Sequence, residues 1–113
     1  SFGQDYFESG LEKYENGDTY GAIADYTKAI EINPNNAAAY NNRGFSKAKL
    51  NDYNGATADF TKAIEINPNH AKAYFNRCVA KIKLGDKNGA CQDARKTQDL
   101  GYDASELIRI ACK

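Results

Sequence analysis

The sequence has no tryptophan, no methionine, one histidine and only two prolines among its 113 residues. Because His70 stands alone, no Ser–His–acid triad can be built. Three cysteines without a Cys-x-x-Cys spacing do not form a recognisable zinc site. No glycine-rich phosphate loop is present. We therefore expect no catalytic residues, no metal and no cofactor, and the chain is predicted not to be an enzyme.

An excess of charge of one sign is also missing. Fifteen basic residues balance fifteen acidic ones, whereas a nucleic-acid binder needs surplus Lys and Arg to displace counterions. No apolar run approaches the roughly 20 residues of a membrane-spanning helix, and no polybasic cluster is typical of a membrane surface binder. No signal peptide is visible and the chain starts at Ser1, which suggests a processed or excised piece and leaves the compartment open. The expected partner is another protein, with no nucleic acid and no membrane insertion.

A repeat of 34 residues fills most of the chain. The segment from Asp25 to Asn35 recurs from Asp59 to Asn69, and the segment 40–44 recurs at 74–78. The repeat predicts one domain, 1–113, with units at about 3–36, 37–70 and 71–102. A shorter helix at about 103–112 is expected to close the stack.

Each unit is predicted to contain two helices, so the fold class is all-α. The first helices are expected at 4–16, 37–50 and 71–84, and the second at 20–32, 54–66 and 88–99. Pro34 and Pro68 end the first two second helices, because proline disfavours helical geometry in the residue before it. Asp103 or Ser105 is expected to cap the last helix. His70 suits a helix start better than a ligand position.

This pattern resembles the tetratricopeptide repeat family. In that family an early aromatic is followed by a small residue, a Gly-Asp turn, an alanine, a second aromatic, another alanine and a proline. The second unit matches with Tyr40, Gly44, Asp52, Ala56, Phe60, Ala63 and Pro68. The third unit departs, with Cys78 at the small position and no proline. The resemblance implies a right-handed α-solenoid of three antiparallel helix pairs and a seventh capping helix, acting as a non-catalytic protein–protein interaction scaffold.

The resemblance also implies that the first helices line a concave groove for a partner peptide or helix. Residues spaced four and three apart share one face of a helix, and the stripes predicted to form this groove are Phe7, Leu11 and Tyr14, then Asn41, Phe45 and Ala48, then Phe75, Val79 and Ile82. We expect about a third of them to seal neighbouring helices instead. Asn42 and Asn76 are expected to hydrogen-bond the ligand backbone, and Lys72 to favour an acidic group.

Three alternatives stay open. Some members of the family grip the acidic C-termini of chaperones with two Lys, two Asn and one Arg; Asn42 and Lys72 match, but Phe7, Leu11 and Asn76 occupy the other three positions. Exposed stack ends could instead drive self-association into a homo-oligomer. The chain could also be part of a larger enzyme or secretion assembly.

Arginines stand where the family usually has leucine. Unpaired charge in a packed interface is costly, so Arg43 and Arg77 are expected to pair with aspartates of the preceding unit, Arg43 with Asp25 and Arg77 with Asp59.

Two cysteines are expected to face each other. Cys91 and Cys112 each lie ten residues from a hairpin turn at Gly101 and Tyr102. A disulfide and two buried free thiols both fit this arrangement. Cys78, at a packing position, is expected to be a buried free thiol.

Overall fold

The computed structural model describes all residues 1–113 and contains seven α-helices and no strand. The helices are α1 (Phe2–Glu15), α2 (Thr19–Ile32), α3 (Ala37–Lys49), α4 (Tyr53–Ile66), α5 (Ala71–Lys83), α6 (Lys87–Asp99) and α7 (Ser105–Ala111). Each packs on its neighbour in the chain, so the pairs α1–α2, α3–α4 and α5–α6 stack in order and α7 covers α6. The all-α solenoid of three helix pairs and a capping helix is confirmed. None of the helices has the length and apolarity needed to cross a membrane.

The turn inside each pair is the same device repeated three times. Its first residue has a positive φ, which glycine and asparagine tolerate best: Gly17 (86°), Asn51 (64°) and Gly85 (81°). The next residue is an aspartate whose carboxylate accepts a backbone N–H of the following helix at 2.9 Å: Asp18 from Gly21, Asp52 from Gly55 and Asp86 from Gly89. A side chain at these last glycines would meet the aspartate oxygen at 2.2–2.3 Å.

Between pairs, the second helix ends before proline. Asn33 and Asn67 take extended conformations, with φ near −131° and −130°, as the proline that follows requires. The next helix then begins at a side-chain cap. Asn36 Oδ1 accepts the N–H of Ala39 at 3.0 Å, and His70 Nδ1 accepts the N–H of Ala73 at 3.2 Å. His70 is therefore a helix-start residue.

Close approach of the two helices in a pair depends on one small residue facing one large one. A Cβ on Gly10 would lie 2.7 Å from the Tyr26 ring, and a Cβ on Gly44 would lie 2.7 Å from the Phe60 ring. In the third pair the first helix carries the larger residue, Cys78, and the second helix carries the smaller one, Ala94. Both are buried in the same cluster. In each pair a small residue therefore allows the two helices to approach closely.

The core is a string of small clusters rather than one centre. One cluster joins α2 to α3 (Ala29, Ile30, Ala39), the next joins α4 to α5 (Ala56, Phe60, Ala80), and the last lies under α7 (Cys78, Ala90, Ala94, Ala111). Most buried side chains are alanines. Each unit therefore depends on its neighbour to bury apolar surface, as in other repeat proteins.

The capping helix α7 closes the last cluster. Leu107 and Ile108 pack on it together with buried Ala111. The expected cap was wrong, since the N-cap is Ala104 and makes no side-chain bond. Asp103 lies one residue too early; its carboxylate instead accepts the N–H of Ser105 at 3.0 Å.

A disulfide joins α7 to α6. Cys91 and Cys112 are bonded, with their Cα atoms 4.8 Å apart, so the hairpin brings them together as expected. Cys78 is buried and free. Burial raises the pKa of Cys78 to about 11, so this thiol is protonated at neutral pH and is a poor nucleophile.

Reduction is expected to destabilise the chain by about 3 kcal/mol, the chain-entropy value for a loop of this size, and to free α7. Urea unfolding with and without a dithiol reductant measures the difference, and hydrogen exchange over 105–111 locates it. The variant Cys91→Ser/Cys112→Ser should have the free energy of unfolding of the reduced protein, and added reductant should not change it. Denatured, unreduced protein should contain one reactive thiol; three would contradict the bond.

His70 is expected to make stability depend on pH. Partial burial, aided by the charge of Lys72, lowers the pKa of His70 from its usual 6.5. Only neutral imidazole accepts the Ala73 N–H, so the folded state disfavours the proton. The stabilisation is complete above the unfolded pKa, starts to weaken below about 6.5 and is lost as pH falls through the lower folded pKa.

The control is His70→Asn, which copies the cap of Asn36 with a side chain that does not titrate. Between pH 7.5 and 5, wild type should lose up to about 1 kcal/mol more free energy of unfolding than this variant, the usual contribution of an N-cap. Equal losses would show that His70 does not cap the helix through its neutral form.

Candidate functional site

Three cavities lie side by side on the face formed by α1, α3 and α5. The most apolar, about 280 Å³, lies between α3 and α5, and its lining residues are Phe45, Ala48, Lys49, Tyr53, Phe60, Phe75, Asn76, Val79, Ala80 and Lys83. A more polar cavity of about 390 Å³ is lined by Asn41, Asn42, Phe45, Lys72, Phe75 and Asn76. The third, about 120 Å³, is lined by Tyr14, Tyr26, Asn42 and Phe45. Phe45 is common to all three, so they form one continuous surface, called the groove below.

The exposed apolar side chains of the groove come from α3 and α5. Phe45 is 40% exposed, Phe75 41% and Val79 37%. The Tyr14 ring meets the Phe45 ring edge-on, with centroids 5.8 Å apart, which links α1 to α3 across the groove floor. Large apolar groups held at the surface in one cluster are typical of a binding site.

Amide groups line the polar end. Asn41, expected to be part of the open stripe, is buried at 6% exposure. Its carbonyl oxygen accepts a hydrogen bond from Asn76 Nδ2 at 3.1 Å, which ties α5 to α3. Asn42 and the remaining polar atoms of Asn76 line the cavity beside Lys72.

Phe7, Leu11 and Ile82 do not line the groove. Phe7 packs on the Tyr26 ring at a centroid distance of 5.9 Å and on the cluster between α2 and α3. Ile82 packs on the cluster beneath α7, to which the capping helix contributes Ala111. Leu11 is exposed on α1 but lines none of the cavities. Phe7 and Ile82 therefore seal helices together.

Sequence reasoning missed two lysines of the groove. Lys49 and Lys83 line the apolar cavity, and Lys49 Nζ lies 5.7 Å from the centre of the Phe45 ring. Each lysine follows a stripe residue, Phe45 or Val79, by four positions, so the helix spacing already placed it on the same face.

The arginines pair with aspartates, but the expected partners were wrong. Arg43 binds Asp59 of its own unit, through Nε to Oδ2 at 2.9 Å and Nη2 to Oδ1 at 2.7 Å. Lys47 Nζ also contacts Asp59, at 3.0 Å. The preceding unit contributes only the hydroxyl of Thr27, 3.2 Å from Arg43 Nη1.

The third unit repeats this arrangement. Arg77 binds Asp93 at 2.8 and 2.7 Å, with Lys81 Nζ at 3.1 Å. Residues 16 apart in the sequence face each other across an antiparallel pair, so the nearest carboxylate belongs to the same unit and not to the preceding one.

Asp25, expected to bind Arg43, is occupied within its own unit. It accepts the Ser9 hydroxyl and contacts Lys13 Nζ at 3.0 Å. Burial by itself would raise the pKa of Asp25, but these two partners outweigh it and leave the pKa below its usual range. The three aspartates fix the first helix of each pair against the second.

The comparisons with known proteins agree with this geometry. Family models described as TPR repeat and tetratricopeptide repeat match residues 10–50 and 37–70. A sequence search among curated proteins found no match.

Solved structures of the same fold are numerous. The second TPR domain of human RPAP3, in complex with the HSP70 peptide SGPTIEEVD, is 29% identical, with a TM-score of 0.90 over 96% of this chain and 92% of that one. The TPR2B domain of yeast Sti1, in a complex with pHsp70, is 28% identical, with a TM-score of 0.89 over 97% and 93%. The Arabidopsis OM64 TPR domain is 28% identical, with a TM-score of 0.91 over 96% and 92%.

The repeat in the sequence, the three helix pairs with their capping helix, and these matches lead to one assignment: the chain belongs to the tetratricopeptide repeat family.

Proposed function

We propose that this chain is a non-catalytic scaffold that binds a segment of a partner protein in the groove. The observation that carries the proposal is the continuous row of cavities between α1, α3 and α5, with Phe45, Phe75 and Val79 partly exposed along it. The tetratricopeptide fold is a protein-interaction module, and similar domains from human RPAP3 and yeast Sti1 hold peptides.

The shape of the apolar cavity suits a side-chain anchor. An enclosed apolar cavity of about 150 Å³ holds a benzene molecule, and the cavity between α3 and α5 has about 280 Å³. One aromatic or large aliphatic side chain of a ligand can therefore enter it. Burial against Phe75 and Val79 supplies the apolar part of the binding free energy.

The polar end of the groove suits the ligand backbone. Asn42 and Asn76 each offer donors and acceptors within the same cavity as Lys72. Amide side chains can satisfy an extended backbone whatever its sequence. Anchors in the apolar cavity and amides beside it together favour an extended peptide segment.

Phe75→Ala is expected to weaken partner binding by about 1–3 kcal/mol, as truncation of an aromatic anchor commonly does. The partner is isolated on the immobilised chain, purified, and its affinity for each variant measured by calorimetry. Circular dichroism should show unchanged helical content, because Phe75 is not part of the buried core.

The matched control is Tyr20→Ala. Tyr20 is 74% exposed on α2 and lines none of the three cavities. It should bind the partner as wild type does. Wild-type affinity in both Phe75→Ala and Phe45→Ala would contradict the proposed groove.

A co-chaperone that binds acidic chaperone C-termini is the second candidate, favoured by the HSP70 peptide in the RPAP3 domain. Asn42 and Lys72 line one cavity, as such a clamp requires. Phe7, however, is packed on Tyr26, and Asn76 carries no charge to meet a carboxylate.

Titration of SGPTIEEVD with a free and an amidated C-terminus separates the two candidates. We expect the two forms to bind equally weakly, because Lys72 is the only cation left at the clamp positions. A loss of about tenfold or more on amidation, the usual strength of a hydrogen bond to a charged group, would favour the co-chaperone. Self-association through the stack ends stays a prediction, which sedimentation over a concentration series would test.

A further inference from the structure

The groove helices differ sharply in charge. Helix α1 carries four acidic residues and one lysine, whereas α3 and α5 carry seven basic residues and no acidic one. The seven are Arg43, Lys47, Lys49, Lys72, Arg77, Lys81 and Lys83. The whole chain has no net charge, yet the part of the groove between α3 and α5, called the furrow below, is basic.

Ion pairs neutralise only part of this charge. Asp59 is shared by Arg43 and Lys47, and Asp93 by Arg77 and Lys81, so four cations meet two carboxylates. Lys49, Lys72 and Lys83 take part in no salt bridge. No carboxylate lines any of the three groove cavities.

The three unpaired lysines stand at the two ends of the furrow. Lys72 is at the start of α5 in the polar cavity, and Lys83 is at its end in the apolar cavity, beside Lys49 of α3. Eleven residues separate Lys72 from Lys83, which is about 16 Å along a helix at about 1.5 Å per residue. Phe75 and Val79 lie between them.

Compensation of the helix dipole does not by itself account for Lys49 and Lys83. A cation at a helix C-terminus is favourable, but Lys13, Lys47 and Lys81 already place one in the last turn of α1, α3 and α5. The first unit has Glu15 where the other two have Lys49 and Lys83. A second lysine in the last turn is therefore present only in α3 and α5, next to the exposed apolar side chains.

Resting on the proposed function, we infer that the bound segment is an internal, acidic stretch of the partner that lies along the furrow between α3 and α5. It carries one large apolar residue between two acidic residues about five positions apart, since an extended chain advances about 3.3 Å per residue. One acidic residue faces Lys72, and the other faces Lys49 and Lys83. The apolar residue enters the cavity between Phe45, Phe75 and Val79.

The clamp positions explain why the segment is internal. A chain terminus brings a carboxylate that needs a concentrated cationic site, but Lys72 is alone at that end of the groove, where Phe7 is packed on Tyr26. The acidic α1 also repels an anion from that side. Side-chain carboxylates spread along the furrow match the three separated lysines better than one terminal group does.

The test uses the capped peptide acetyl-Ser-Glu-Ala-Ala-Phe-Ala-Glu-Ser-amide, which has no free terminus, titrated into the isotope-labelled chain by NMR at low salt. We expect saturable shifts on α3 and α5. Replacing both peptide glutamates by glutamine should weaken binding about tenfold or more, and added salt should weaken it too. Replacing the peptide phenylalanine by alanine should abolish the shifts around Val79.

Variants of the chain provide the matched comparison. Lys49→Glu/Lys83→Glu should weaken binding of the glutamate peptide about tenfold or more. Lys28→Glu/Lys62→Glu makes the same change in net charge on the exposed second helices, away from the cavities, and should leave the affinity within about twofold.

The outcomes separate this inference from the proposed function. Equal affinity for the glutamate and glutamine peptides, equal weakening by the two double variants, or no binding of the glutamate peptide would each overturn the acidic segment. The groove would still stand if Phe75→Ala weakened binding of the native partner. Wild-type partner binding by Phe75→Ala and Phe45→Ala would overturn the groove and the inference with it.

Discussion

Everything in this fold depends on how closely the two helices of a pair approach. A glycine in the first helix lets an aromatic ring of the second lie directly against its backbone, as Gly44 and Phe60 do. In the third pair the larger residue, Cys78, is on the first helix and the small residue, Ala94, is on the second. Most of the buried apolar residues are alanines, so few large side chains support each pair. Each unit must then pack on the next, and the last one needs α7 and its disulfide to close the stack.

The same close packing divides the basic residues into two groups. Arg43, Lys47, Arg77 and Lys81 point between the helices of a pair, where only a buried aspartate can compensate them. Lys49 and Lys83, two positions after Lys47 and Lys81, are turned about 200° around the helix at roughly 100° per residue. They therefore lie on the groove side without a carboxylate. Helical geometry alone separates cations that hold the fold from cations that are free to meet a ligand.

The groove combines two properties that a stable stack does not require. Its apolar side chains are left partly in water, and Lys49, Lys72 and Lys83 are left unpaired, whereas the half-buried Arg43 and Arg77 bind aspartates. A ligand that is apolar at its centre and acidic at its ends would bury these apolar side chains and pair with these lysines. The amide pair of Asn41 and Asn76 holds α3 and α5 at the spacing that keeps this furrow open.

By itself the sequence determined the seven helices and their order, and it determined nearly all their ends to within one residue. Local chemistry decides these features: proline after Asn33 and Asn67, positive φ at the turns, and aspartates that cap the next helix. Helix spacing also predicted the facing pair Cys91 and Cys112, and of the predicted stripes Tyr14, Phe45, Ala48, Phe75 and Val79 line the cavities. Tertiary packing decided the rest. Whether Arg43 reaches Asp59 or Asp25, and whether Ile82 faces a ligand or the capping helix, depends on distances between helices that no single helix encodes.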